Sequence, residues 1–293
     1  MNSAHAPLFY KVQRIAFAAK QRVLDKFSGM YTSRFRGPGL ELEDIREFQN
    51  GDDVRAISWA KTAQMAKPYV KSYREERDLN VMLVADISGS FELKTRYGLK
   101  RERLAEVGAL LAMSAAYNHD RVGLMLFSDT VELYLPPKRG LRHSVRIVRE
   151  LMARPAVGTK TCIADALRTL YKLLPKRAVV FLLSDFIDDS FDNELLLTSK
   201  KDDLIAVRLF DPYEKSLPKL GLAAFQDIET RASWLVDVTD SQVEAYAKAA
   251  ALQDERMRKL FVRTKTDCID IDTQESFLEQ IIRYFLLRKK RVT

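Results

Sequence analysis

From residue 80 onward, short continuous apolar runs alternate with segments whose apolar residues recur every three or four positions. Residues 81–85 (Val-Met-Leu-Val-Ala) form the first run, the pattern of a strand covered on both faces of a parallel sheet. Similar runs follow at 122–127, 178–183 and 204–209, with weaker ones at 234–238 and 268–271. Between them, 101–117, 141–152, 163–174, 242–261 and 274–287 read as helices. Strand and helix alternate, which predicts an α/β fold, a doubly wound and mostly parallel sheet with helices on both faces. The stretch Phe127-Ser128-Asp129-Thr130-Val131 places a Ser-Asp turn between apolar residues and predicts a hairpin, hence one antiparallel edge strand.

Upstream the pattern is different. Leu8, Val12, Ile15, Val23 and Leu24 recur at helical spacing, so a helix is expected to about Ser28. Gly37, Pro38, Gly39 and Gly51 then mark turns. Residues 67–75 read as extended, because Tyr69, Lys71 and Tyr73 alternate with Val70 and Ser72. The expected division is an N-terminal helix with a flanking subdomain over 1–78, and the α/β domain over 79–293.

Composition narrows the class. A chain of 293 residues, 47% hydrophobic and 30% charged with 11 Gly and 9 Pro, is neither collagen-like nor disordered. Two cysteines, Cys162 and Cys268, are too few for a disulfide framework or a zinc site. No apolar stretch approaches the roughly 20 residues that span a bilayer. Lys11, Arg14 and Lys20 interrupt any secretory apolar core, so a cytoplasmic protein is expected. The net charge of +8 is spread along the chain and concentrates in no basic domain. Arg142, Arg146 and Arg149, with Lys138 and Arg139, make one basic stripe, a pattern that is usually solvated surface.

In parallel sheets, ligands sit beyond the carboxyl ends of the strands. There the chain carries Asp86-Ile87-Ser88-Gly89-Ser90 after the first run and Ser184-Asp185-Phe186-Ile187-Asp188 after the third. Gly158-Thr159-Lys160-Thr161 precedes a helix between them. Carboxylates and hydroxyls are hard oxygen donors that suit Mg²⁺, or Mn²⁺, rather than zinc. A Ser-rich loop also serves simply as a turn that caps the next helix. Three such loops at matching positions favour the metal. Thr161 is expected to cap the following helix, leaving Thr159 as the ligand, though a small shift exchanges the two. The acidic residues Asp188, Asp189, Asp192 and Glu194 are expected in a solvated loop or at a helix start rather than at a second metal. Asp52, Asp53 and Arg55 suggest a turn fixed by carboxylate–guanidinium bonds, and Trp59 and Tyr69 suggest core.

The pattern Asp86-x-Ser88-x-Ser90, then Thr159, then Asp185, resembles the metal-ion-dependent adhesion site of von Willebrand factor A domains. Residues Gly39-Leu40-Glu41-Leu42-Glu43-Asp44-Ile45-Arg46-Glu47-Phe48, Gly51-Asp52-Asp53-Val54-Arg55 and Ile57-Ser58-Trp59 are similar to the bacterial domain-of-unknown-function family numbered fifty-eight, whose members carry such an A domain. The chain departs from that pattern at Phe91 and at Lys61-Thr62-Ala63-Gln64. The resemblance implies a non-enzymatic, metal-assisted protein-interaction module. Ser88, Ser90 and Thr159 would hold the cation, Asp86 and Asp185 would support it, and a partner's Asp or Glu would complete the shell. It further implies action beside a MoxR-type AAA+ ATPase. Two other readings stand beside it. One is a phosphatase using Asp86, weakened because Ser88 stands where an Asp-x-Asp motif needs a second carboxylate. The other is a nucleic-acid binder, weakened by the lack of interleaved aromatic and basic residues.

Overall fold

The computed structural model describes residues 40–290, apart from 50–51, 66, 76–78, 93, 96–97, 189, 219 and 228–231. The helix expected before Ser28 and the turns at Gly37, Pro38, Gly39 and Gly51 lie outside the described residues. The chain divides into two compact units, the smaller spanning Phe35–Leu79.

In the smaller unit, β1 (Leu40–Glu47) pairs antiparallel with β2 (Tyr69–Glu75), with a bulge between Leu42 and Asp44. A short helix, α1 (Trp59–Met65), connects them. The guanidinium of Arg46 forks onto both oxygens of Asp52, at 2.9 and 2.6 Å, and the Gln49 amide donates to the same carboxylate at 2.8 Å. A carboxylate–guanidinium pair does fix this turn, but the arginine is Arg46. Val70 is buried here, whereas Trp59 is 71% exposed, which corrects the expectation that it is core.

The larger unit begins with β3 (Asn80–Asp86), followed by the two-residue strands β4 (Lys94–Thr95) and β5 (Gly98–Leu99) and by helix α2 (Lys100–Tyr117). Then come β6 (Arg121–Phe127), β7 (Val131–Lys138), α3 (Leu141–Ala153) and α4 (Ile163–Leu173). After them lie β8 (Val179–Ser184), α5 (Asp192–Lys201), β9 (Asp203–Phe210), β10 (Gly221–Gln226) and β11 (Ser233–Val238). The unit closes with α6 (Asp240–Thr264), β12 (Asp267–Asp272) and α7 (Phe277–Lys290).

Six strands form one sheet in the order β12-β9-β8-β3-β6-β7, parallel except for β7. This is the expected doubly wound sheet with one antiparallel edge. The continuous apolar runs explain its middle: Val81 to Ala85 and Val180 to Leu183 are wholly buried, because helices cover both faces. One face packs on α4, α5 and α6 through Leu167, Leu195 and Phe261. Helix α2 shows no apolar stripe because it is buried almost all round, from Leu104 to Ala115. A Cβ added at Gly108 would lie 2.6 Å from a terminal methyl of Leu151, so any larger residue there would force that side chain to shift between α2 and α3.

The run at 234–238 departs from expectation. It belongs to β11, which pairs antiparallel with β10 in a separate two-stranded sheet. Trp234 and Leu235 are 53% and 68% exposed, so burial never draws this strand into the central sheet. Helix α5 was read only as an acidic loop or helix start. Its apolar Leu195 reaches the core while Asp192 and Glu194 occupy the first turn, where the helix dipole favours acids.

Candidate metal centre

Asp86 ends β3 and Ser184 ends β8, two adjacent strands of the sheet, so their side chains meet at its carboxyl edge. Asp86 is wholly buried. Its Oδ1 accepts the Ser88 amide at 2.9 Å, and its Oδ2 accepts the Ser184 hydroxyl at 2.8 Å. Ser184 Oγ in turn accepts the Phe186 amide at 3.0 Å. Phe186 adopts φ = 60°, a conformation that costs a bulky residue of order 1–3 kcal/mol. Its ring stacks edge-on against Phe261, with centroids 5.3 Å apart, which holds the turn in place. Beyond it Ile187 points outward, 60% exposed, and Asp188 Oδ2 accepts the Ile163 amide at 2.8 Å, at the start of α4.

A third loop is pinned from β7. Glu132 Oε1 accepts the Ser128 hydroxyl (2.6 Å) and the amides of Val157 (2.9 Å) and Gly158 (3.3 Å). Any Cβ at Gly158 would fall 1.9 Å from Asp129 Oδ1 and 2.6 Å from Ser128 Oγ, so a larger residue there would have to displace both side chains. The Thr159 carbonyl then accepts the Gly89 amide at 3.0 Å, which ties this loop to the serine loop.

Three hydroxyls meet as a result. Thr161 Oγ1 donates to Ser88 Oγ at 2.8 Å, and Ser88 Oγ lies 3.3 Å from Ser90 Oγ. Thr161 therefore does not cap α4, correcting that expectation. The N-cap position is Cys162, which makes no side-chain cap bond, and Asp188 satisfies the first amide instead. Thr159 lines the same cavity of about 280 Å³, together with Ser88, Ser90, Thr161, Ile187, Gln226 and Asp227. The last two come from the end of β10 and the residue after it, which no sequence signal linked to the site.

Asp185 is paired with a cation that the sequence reading missed. Lys100, wholly buried at the start of α2, donates to Asp185 Oδ2 at 2.9 Å and to Glu214 Oε1 at 2.8 Å. Burial pulls the ammonium toward neutrality, but Asp185 and Glu214 together outweigh it and hold Lys100 above its usual range. Burial also raises Glu214, with Lys100 only partly offsetting it. With two carboxylates on one ammonium, Lys100 is read as charged and serving chiefly Asp185, the more deeply buried of the two. Among the described residues Asp86 has no such counter-ion: burial, then the Asp185 charge, push its carboxyl up to about 7 against the hydrogen bonds from Ser88 and Ser184.

These residues fit a small hard dication. Octahedral Mg²⁺ with bonds near 2.1 Å sets neighbouring ligand oxygens about 3 Å apart. The separations of 2.8 and 3.3 Å around Ser88 Oγ match two such edges. Among the described residues there is no cluster of three or more His, Cys, Asp or Glu able to hold a metal, so a cation here would meet hydroxyls first, with carboxylates behind them. The other acids near the site have partners already: Asp192 pairs with Arg263 at 2.7 Å and Glu194 with Arg168 at 2.9 Å.

The model of a family described as "Protein of unknown function DUF58" matches residues 44–256. An uncharacterized protein of Mycobacterium tuberculosis, Rv1480, is 23% identical over 282 residues, covering 95% of this chain and 89% of its own. Among solved structures, the conserved hypothetical protein BatB from Bacteroides thetaiotaomicron aligns with a TM-score of 0.47 at 13% identity, covering 72% of this chain and 99% of that one. The VWA domain of SpRpn10 aligns with a TM-score of 0.39 at 11% identity, covering 69% and 93%.

Proposed function

Since this chain belongs to the DUF58 family, with the family match running across most of its length, we propose that it is a non-enzymatic protein-interaction module whose contact with its partner is made through a divalent cation. Ser88, Ser90 and Thr161 would hold Mg²⁺, or Mn²⁺, with Thr159 at the rim of the same cavity. Asp86 and Asp185 would act behind them: Asp86 fixes the serine loop through the Ser88 amide, and Asp185 supplies negative charge positioned by Lys100. The cation supplies an open coordination place for an Asp or Glu of the partner. The observation that carries this reading is the convergence of hydroxyls from two loops at Ser88 Oγ, directly beside a buried carboxylate with no counter-ion among the described residues.

The same geometry disfavours a phosphatase. Asp86 is wholly buried with both carboxylate oxygens hydrogen-bonded, so no oxygen is presented to attack a phosphate. No described helix is long and apolar enough to cross a membrane. We place the module in the cytoplasm, beside a MoxR-type AAA+ ATPase that supplies the energy for remodelling, with nucleic acid not among its ligands. The test is capture of the ATPase by this chain with Mg²⁺, with chelator, and with Ser88→Ala plus Ser90→Ala. Capture that depends on Mg²⁺ and is lost in a folded double variant supports the reading. Capture unchanged by both perturbations overturns it.

A further inference from the structure

A second surface lies at the opposite margin of the larger unit and owes nothing to the hydroxyl cluster. Strand β12 ends the sheet, and no other described strand pairs with its outer edge. Helix α6 packs on one face of the sheet, with Met257 and Phe261 in the core beside α4 and α5. Helix α7 packs with the other side, where Phe277 lies under the guanidinium of Arg103 from α2, 5.4 Å away. A groove of about 760 Å³ is lined by residues of both helices and by β12 between them, so it runs along the free edge of the strand.

The groove has apolar walls and a positive rim. Met257 and Phe261 form its floor, while Val262 on α6 and Leu287 on α7 stand 79% and 53% exposed beside it. Arg208 is already committed to Asp254 and Asp270, and Arg288 to Asp203 and Asp267. Arg258, Lys265 and Arg283 line the same groove with no ion pair among the described residues. The two acids of β12 in the groove, Asp267 and Asp270, are thus neutralised, and three cations remain unmatched. Beyond Asp267, the outer edge of such a strand presents backbone donors and acceptors that an extended chain can satisfy.

We propose that this groove takes an extended acidic segment of a partner protein, added as a seventh strand alongside β12. Its apolar side chains would fall against Val262 and Leu287, and its carboxylates would meet Arg258, Lys265 and Arg283. Backbone hydrogen bonds give the affinity, and the alternation of apolar and acidic side chains gives the selectivity. The basic residues of the chain's own segment 1–39, among them Lys11, Arg14 and Lys20, make that segment a poor electrostatic match.

The probe is a fluorescent peptide of alternating glutamate and valine, titrated into the full chain at low ionic strength. Controls are the lysine-for-glutamate peptide and the same peptide N-methylated at alternate amides. Binding of the acidic peptide is expected to weaken by about tenfold or more in Arg258→Glu plus Arg283→Glu, and similarly on N-methylation. Both arginines are exposed, so the variant should fold; its melting temperature checks this. Hydrogen exchange should show alternate β12 amides unprotected in the free protein and protected with peptide. The proposal is overturned if the acidic peptide does not bind, or if the lysine or N-methylated peptide binds as well. It is equally overturned if every β12 amide is already protected in the free chain, which would mean the chain covers its own edge. Self-association abolished by the double variant would make the occupant a second copy.

Discussion

Replacing Lys100 by methionine tests the electrostatic design of the site. The side chain is wholly buried, so methionine fills nearly the same space, and the main change is loss of the ammonium between Asp185 and Glu214. Breaking a buried ion pair by removing one member costs about 3–5 kcal/mol. For a unit of this size, each kcal/mol moves the melting temperature by about 2–4 °C, so Lys100→Met should melt roughly 6–20 °C lower. Removing both charges in Lys100→Met plus Asp185→Asn should cost less than the sum of the two single changes. Thermal melts of the four proteins at pH 7 measure both effects. A loss under 1 kcal/mol at pH 7, or additive single changes, would refute the claim that Lys100 is the counter-ion of Asp185.

Gly158→Ala should destabilise by about 1–3 kcal/mol, because the new methyl collides with Asp129 and Ser128 and displaces the threonine loop; urea denaturation reads the loss, and divalent-ion affinity should fall with it. Asp86 gives a pH signature. Its folded value, near 7, lies above the ordinary 3.8, so the native state holds the proton more tightly than the unfolded chain does. In chelator, stability should therefore fall as pH rises from about 4 to 7, by up to about 4 kcal/mol relative to Asp86→Asn. Mg²⁺ should flatten that slope, and a flat profile in chelator would contradict the assigned burial.

The central strands were legible because burial on both faces leaves a continuous apolar run, as in Val81 to Ala85. The same logic misplaced residues 234–238, whose Trp234 and Leu235 have strand-forming types but stand exposed; residue type alone does not report burial. The three site loops were legible because each follows or precedes a strong periodic element at a fixed end of the sheet. The choice between Thr159 and Thr161 was not, since two residues in a loop differ by a turn of backbone set by Glu132 and Gly158 rather than by local propensity. Lys100 gave no local signal: a lysine opening a helix reads as solvated, and its partners lie 85 and 114 positions away. Likewise the approach of Gln226 and Asp227 to the cavity depends on where the β10–β11 hairpin sits, which no spacing encodes.

Titration of Mn²⁺ into the wild type and into Ser88→Ala plus Ser90→Ala, followed by electron paramagnetic resonance, reads the proposed centre directly and requires no partner. The wild type should bind one Mn²⁺ that Mg²⁺ displaces, and the folded double variant should bind none at the same site. A wild type that leaves all Mn²⁺ free, or a double variant that binds as the wild type does, would contradict a cation held by these hydroxyls.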